Sequence, residues 1–283
     1  MLDLVRKVKR KLSKAPATPE QLLELQLRNL KALPKAVCDT SKLGRISIPE
    51  LQIIFRSEEL EAEWEKTEQA IAPLKLPEYT GGVNIGDQRA IYQMIRSLNP
   101  KSVLEVGTHI GCSTVHIFKA LSDNNSDFAF STVDIRDVND ERKKPWQTFK
   151  STYSPRQMIK MLNDQKTVNF VVGSSSEFLA KTSQTFDFIF LDGDHTASTV
   201  YKEIPLALKK LNKGGFILLH DYYPNGEHIF KENSVVPGPY FGSQRLIDEN
   251  HNFEVVPLGA LPWKTKTGTN CDNCTSLALV SAI

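Results

Sequence analysis

The chain has 283 residues, 24% of them charged and 40% hydrophobic, with a formal net charge of +2. That length accommodates one large α/β core with an appendage, and a charge this near neutrality gives no footing for nucleic acid. No apolar run approaches the roughly 18 residues of a membrane span, and the first residues lack the apolar stretch of a secretion signal. The expected location is therefore cytoplasmic, with no transmembrane segment. The four cysteines suit a reducing compartment. Cys38 and Cys112 stand alone, while Cys271 and Cys274 form C-x-x-C without the further ligands that zinc needs, so a loop with two incidental thiols before the last strand is expected.

Taken in order, residues 1–15 place Leu2, Leu4, Val5, Val8 and Leu12 near helical spacing among six basic residues. Such a helix is either solvated or laid against anionic lipid or a partner. Thr18 with Pro19 then caps a helix over Gln21 to Leu33, and Leu60 to Ile71 reads as another. Residues 1–78 are expected to form a helical appendage, a lid or a dimer surface, ahead of a main domain over 79–283. That domain opens with an amphipathic helix from Asp87 to Leu98.

The stretch from Lys101 to Leu121 organises the main domain. Val103, Leu104 and Val106 make a short strand, the turn Gly107 to Gly111 comes next, and Ser113 to Leu121 reads as a helix. Gly107, having no Cβ, allows close approach to the backbone. A second strand from Ser131 ends at Asp134, about where a Rossmann-like unit places the carboxylate that holds ribose hydroxyls. The first turn is E-x-G-x-x-x-G, containing Glu105, and lacks the G-x-G-x-x-G that receives a pyrophosphate. It suits a cofactor with ribose and no phosphates, of which S-adenosylmethionine is the common one.

A long polar loop from Asp137 to Tyr153 carries Trp146, Phe149 and Tyr153. Further strands are expected at Val168 to Val172, Phe186 to Leu191 and Phe216 to Leu219, with helices at Arg156 to Leu162 and Val200 to Leu211, and a turn at Gly214 and Gly215. The alternation implies an α/β fold with a doubly wound, mostly parallel, Rossmann-like sheet. Ligands of such sheets bind beyond the carboxyl ends of the strands, where Asp134, Ser175, Asp192 and Asp221 all fall. LDGDH supplies Asp192, Asp194 and His195, and LLHDY supplies His220 and Asp221. Clustered carboxylates repel one another unless a cation or proton intervenes, and Mg²⁺ is the simplest candidate. Asp194 suits a helix cap as well as a functional role, and His195 is placed as a general base.

Together the blocks NIGDQRAIYQMI, SVLEVGTHIGCST, STVDIR, VVGSSSEFL, FDFIFLDGDH and NKGGFILLHDY resemble class I S-adenosylmethionine-dependent O-methyltransferases. The likeness is greatest to the bacterial macrolide-sugar group and more distant to catechol O-methyltransferase. It implies that Ile85, Glu105, Gly107, Thr108, His109, Ser113, Asp134, Ile135, Ser175, Ser176 and Asp192 contact the cofactor. It also implies that Asp192, His220 and Asp221 hold a metal and that His195 is the catalytic base. Tyr222 stands where the catechol enzyme has Asn, and His220 stands where the macrolide-sugar enzymes have an acid. The acceptor would be a small molecule or sugar. Trp146, Tyr222, Tyr223, Tyr240, Phe241 and Trp263 are candidates for its pocket, and a homo-oligomer is allowed for. The rival expectations are a metal-independent methyltransferase acting on nitrogen or a carboxylate, an NAD(P)-linked oxidoreductase, and a non-catalytic scaffold.

Overall fold

A computed structural model describes residues 18–77, 82–124, 127–163, 165–230, 235–266 and 271–283. The basic helix expected over residues 1–15 lies outside these. Helix α1 (Pro19–Lys31) begins at Thr18, whose hydroxyl accepts the amide of Gln21 while the Gln21 side chain accepts that of Thr18. Helix α2 (Ile48–Phe55) starts with the same reciprocal cap from Ser47 and Glu50 and adds an element to those expected. Helix α3 (Glu58–Ile71) carries Glu58, Glu59 and Glu61 in its first turn, where the helix dipole favours them. Leu51, Phe55, Trp64 and Ile71 share one hydrophobic cluster with Ile91, Phe118 and Phe190, so residues 18–77 pack into the main core.

Seven strands come next, interleaved with helices. In chain order they are β1 (Ser102–Val106), β2 (Ala129–Asp134), β3 (Asn169–Val172), β4 (Phe186–Leu191), β5 (Leu211–Leu219), β6 (Phe253–Pro257) and β7 (Ala278–Ala282). The remaining helices are α4 (Ile85–Leu98), α5 (Cys112–Asp123), α6 (Pro155–Leu162), α7 (Ser175–Lys181), α8 (Ala197–Lys209) and α9 (Gly238–Asn250). The spatial order is β3-β2-β1-β4-β5-β7-β6. Strands β1 to β5 are parallel, and β7 runs antiparallel to both β5 and β6.

The sheet is covered on both faces, which is why its central strands read as unbroken apolar runs. Along β4, Phe188 and Phe190 enter the layer shared with α2 to α5, while Ile189 and Leu191 enter the layer shared with α8 and α9. One expectation needs correction. Gly214 and Gly215 do not end α8 in a turn; they lie within β5, which starts at Leu211 and absorbs them in an irregular register opposite Phe186 and Phe188. Among the described residues no helix is long and apolar enough to cross a membrane.

The C-x-x-C pair also departs from expectation. Cys271 and Cys274 are joined as a disulfide with Cα atoms 5.4 Å apart. Two bonds shape the turn around them, from the Leu261 amide to the Asn273 carbonyl (2.9 Å) and from the Thr265 amide to the Asp272 carbonyl (2.7 Å). They fold the segment until the two side chains are within bonding reach.

Candidate active site

The ladder of hydrogen bonds runs past the ends of the strands and fixes the residues just beyond them. The Gly107 amide donates to the Val133 carbonyl (2.8 Å), that of Asp192 to Val106 (2.9 Å) and that of His220 to Leu191 (3.1 Å). Asp192, His195, His220 and Asp221 are thereby held on one edge. His195 Nε2 lies 3.4 Å from Asp221 Oδ2 and 3.6 Å from Asp192 Oδ1. Donor atoms of Asp192, His195 and Asp221 all fall within 4.8 Å of one another. Two carboxylate oxygens and an imidazole nitrogen make a set that a divalent ion could occupy. Asp221 takes a left-handed backbone (φ 51°), a conformation that Asp tolerates better than most side chains and that is common at functional turns.

His220 does not join that set. Its side chain is buried, with Nδ1 2.8 Å from Asp192 Oδ1 and Nε2 3.3 Å from Asp87 Oδ2. Both ring nitrogens are engaged by carboxylates, so the expected ligand is a support, and His195 takes the third corner. Burial opposes charge on this imidazole, but Asp192 and Asp221, with hydrogen bonds to Asp192 and Asp87, outweigh it and hold its pKa well above the ordinary value.

The glycine turn departs from expectation in a similar way. Glu105 is wholly buried and accepts hydroxyl bonds from Ser113, Thr114 and Thr132, each at 2.6 Å. Thr108 is buried and paired with Thr132 at 2.6 Å. Neither Glu105 nor Thr108 has surface to offer a cofactor. They brace the turn from below, and Ser113, also buried, spends its hydroxyl on Glu105.

Desolvation pushes the Glu105 carboxyl up to about 7, against the pull of its three hydroxyl partners. Between the unfolded value of 4.5 and about 7, the native state keeps a proton that the unfolded state has lost, so this group makes stability fall as pH rises. The uncharged Glu105→Gln variant should escape the loss. Its stability relative to the parent should rise by up to about 3 kcal/mol across that window, at about 1.4 kcal/mol per pH unit. Urea melts at pH 4.5 and 7 check this. Buried His116, lowered to about 4, pulls the opposite way but cancels in the comparison.

The other expected residues are placed variously. Asp134 accepts the His109 amide (2.8 Å) on one oxygen and the Arg136 amide (2.9 Å) and guanidinium (3.3 Å) on the other. Ile135 is 70% exposed and Ile85 51%, both unusual for isoleucine. The Ser175 hydroxyl turns inward to Glu203, whereas Ser176 is part-exposed. Asp194 is exposed and accepts from the Thr196 amide (3.0 Å) and the Thr199 hydroxyl (2.8 Å), a local turn-former. Of the aromatic residues, Tyr222, Tyr240 and Phe241 meet edge-to-face in series, with centroids 5.8 and 5.3 Å apart. Trp146 is buried with Ile110 and Cys112, and Trp263 packs on Phe55 and under Arg89, so neither joins that series.

A family profile described as a methyltransferase domain matches residues 104–222. The chain is similar to that family over this stretch. The stretch runs from β1 to the residue after Asp221, and so contains the glycine turn, Asp134, Asp192, His195 and His220. "Probable caffeoyl-CoA O-methyltransferase 3" of Dictyostelium discoideum is 26% identical over 159 residues, 54% of this chain and 56% of that protein. The chain thus spans little more than half the length of the curated relatives it matches. Among solved structures, the Bacillus cereus O-methyltransferase in complex with SAH is 18% identical, with a TM-score of 0.51, covering 84% of this chain and all of that one. TomG of Streptomyces achromogenes, in complex with SAM, is 16% identical with a TM-score of 0.51, covering 80% of this chain and 90% of that one. At such identities the likeness is one of fold.

Several residues at this edge of the sheet carry no signal of their place in the sequence. Asp87, in the first turn of α4, has the look of part of a helix cap. Arg136 and Glu203 have the look of surface charges, yet Arg136 covers Asp134 and Glu203 is buried, with its carboxyl raised by desolvation to about 7.

Proposed function

We propose that the chain is an S-adenosylmethionine-dependent O-methyltransferase acting on a hydroxyl of a small molecule or sugar, with a divalent cation assisting. The observation that carries this reading is the meeting of Asp192, His195 and Asp221 on the edge that also holds the glycine turn and Asp134. Features of that edge suit the cofactor. Helix α5 begins at Gly111 with no side-chain cap, leaving backbone N–H groups for an anionic end. The buried Trp146 indole N–H beside it has no partner among the described residues. Exposed Ile85 and Ile135 offer apolar faces for a ring.

When bound, the cofactor supplies a methyl carbon already activated by its sulfonium. Gly107 and His109 would border its methionine end, Asp134 would take the ribose hydroxyls in exchange for Arg136, and Ile135 and Ser176 would border the adenine. Asp192 and Asp221 would hold the cation, whose charge favours an ionised hydroxyl nearby. His195, standing beside the cation and not bound to it, would take the acceptor proton at Nε2. Alignment of the reacting atoms supplies most of the rate, because the electrophile needs no further activation. Tyr240 and Phe241, partly exposed and packed against buried Tyr222, would face a sugar or aromatic acceptor. Gln26 of α1 accepts the amide of Ala197, two residues past His195, at 3.1 Å, which supports a role for α1 in covering the site.

The test is calorimetric titration of metal-stripped protein with S-adenosylhomocysteine, repeated with Mg²⁺ and in Asp134→Ala. Micromolar binding that is lost in the variant is the expected result. Absence of binding with and without Mg²⁺ would refute the proposal.

A further inference from the structure

The pair Asp87 and His220 belongs to no step above, yet it is among the most deeply buried polar groupings in the molecule. Asp87 has no exposed surface. Its Oδ1 accepts the Thr275 hydroxyl at 2.6 Å, and its Oδ2 accepts the Asn84 side-chain amide at 2.7 Å and faces His220 Nε2 at 3.3 Å. Its backbone amide is bonded by Asn84 Oδ1 at 3.0 Å. A cap of α4 does not need this: Asn84 already caps the helix, and a buried carboxylate is costly unless its oxygens are matched by donors.

The match is completed by the imidazole. The two ring nitrogens of His220 lie within reach of the two carboxylates, so Asp87 Oδ2 at 3.3 Å fixes the plane of the ring and with it the direction in which Nδ1 meets Asp192 Oδ1 at 2.8 Å. With Oδ1 so engaged, Asp192 is left with Oδ2 for whatever binds between it and Asp221.

We propose that Asp87 is a positioning residue: acting through His220, it sets the orientation of the Asp192 carboxylate at the active edge. The inference rests on the reading of that edge as the transferase site. Asn84, Asp87, His220, Asp192 and Thr275 form one continuous chain from the start of α4, across the end of β5, to the segment before β7. Outer partners of this kind change metal affinity or activity by about 10- to 100-fold when removed from under a ligand.

The experiment uses the full chain with Asp87→Asn, which removes the negative charge facing His220 Nε2 and leaves one acceptor oxygen for the donors of Asn84, Thr275 and His220. Proton NMR of the metal-free protein should show a downfield, slowly exchanging His220 Nδ1–H in the parent and its loss or upfield shift in the variant. Mn²⁺ binding, read by electron paramagnetic resonance, should weaken about 10- to 100-fold, with affinity for S-adenosylhomocysteine unchanged. If Asp87→Asn does not fold, Thr275→Val, which removes one donor to Asp87, should move both readouts the same way by less. An unchanged Nδ1–H signal and unchanged Mn²⁺ affinity in a folded variant would overturn the proposal. A parent that binds no Mn²⁺ but whose Nδ1–H signal is lost in the variant would support the positioning role while removing the cation from the proposed function.

Discussion

Replacing His195 with Ala is expected to lower methyl-transfer turnover by about 10²- to 10⁴-fold, the range typical of a general base, while leaving the affinity for S-adenosylhomocysteine within about twofold. The structure gives the reason for the split. His195 has moderate exposure, and its Nε2 stands 3.4 to 3.6 Å from the two carboxylates, farther than good hydrogen bonds. Its removal empties a corner of the site without orphaning a buried partner, so the fold and the glycine turn should persist. Comparison of kcat on an accepted hydroxyl substrate with the calorimetric Kd checks this. Parallel loss of both would make His195 a structural residue.

Gly107→Ala is expected to be severely damaging for a single added methyl group. A Cβ there would overlap the Asp192 carbonyl oxygen and lie 2.7 Å from its carbon, both backbone atoms held by the strand ladder. The residue also has φ 96°, which side chains rarely adopt. Relief requires β1 and β4 to part at the edge where the site is assembled. We expect a destabilisation above about 4 kcal/mol, or failure to fold, with loss of S-adenosylhomocysteine binding in any folded fraction. Gly259→Ala is the control. Its φ is also positive, at 74°, but a Cβ would meet nothing within 4 Å. Only the backbone penalty of about 1 to 2 kcal/mol should then appear in denaturant melts.

The parts of the fold that are legible in the sequence are those set by local physics. Phe186–Leu191 reads as a central strand because both its faces are buried, and α1 and α6 are announced by Thr18 and Ser154 with Pro at the next position. The placement of Asp134, Asp192, His195 and Asp221 at strand ends comes from the parallel topology. The features that escape depend on pairing across the chain. Nothing in LLHDY tells that His220 turns away from the edge, because its second partner, Asp87, stands 133 positions earlier. Nothing in the E-x-G-x-x-x-G turn tells that Glu105 is sealed by three hydroxyls, one of them from a neighbouring strand. Strand β6 escapes as well, because an antiparallel addition leaves no mark in the strand–helix alternation, whereas the last strand is expected after the Cys271–Cys274 loop.

The late position of β7 governs how the active edge comes into being. Thr275 holds Asp87, and Ser276 holds the strand end that carries Asp221: its carbonyl accepts the Tyr222 amide at 2.9 Å and its hydroxyl lies 3.4 Å from Asp221 Oδ1. Both belong to the segment leading into the strand that emerges after every other described strand, yet β7 lies between β5 and β6 in the sheet. During synthesis the five parallel strands can pair and bury their core first, with Asp87 and Asp221 still untethered. On that order the proposed active edge would be completed only with the insertion of β7, and a growing chain with a well-formed core would lack it until then.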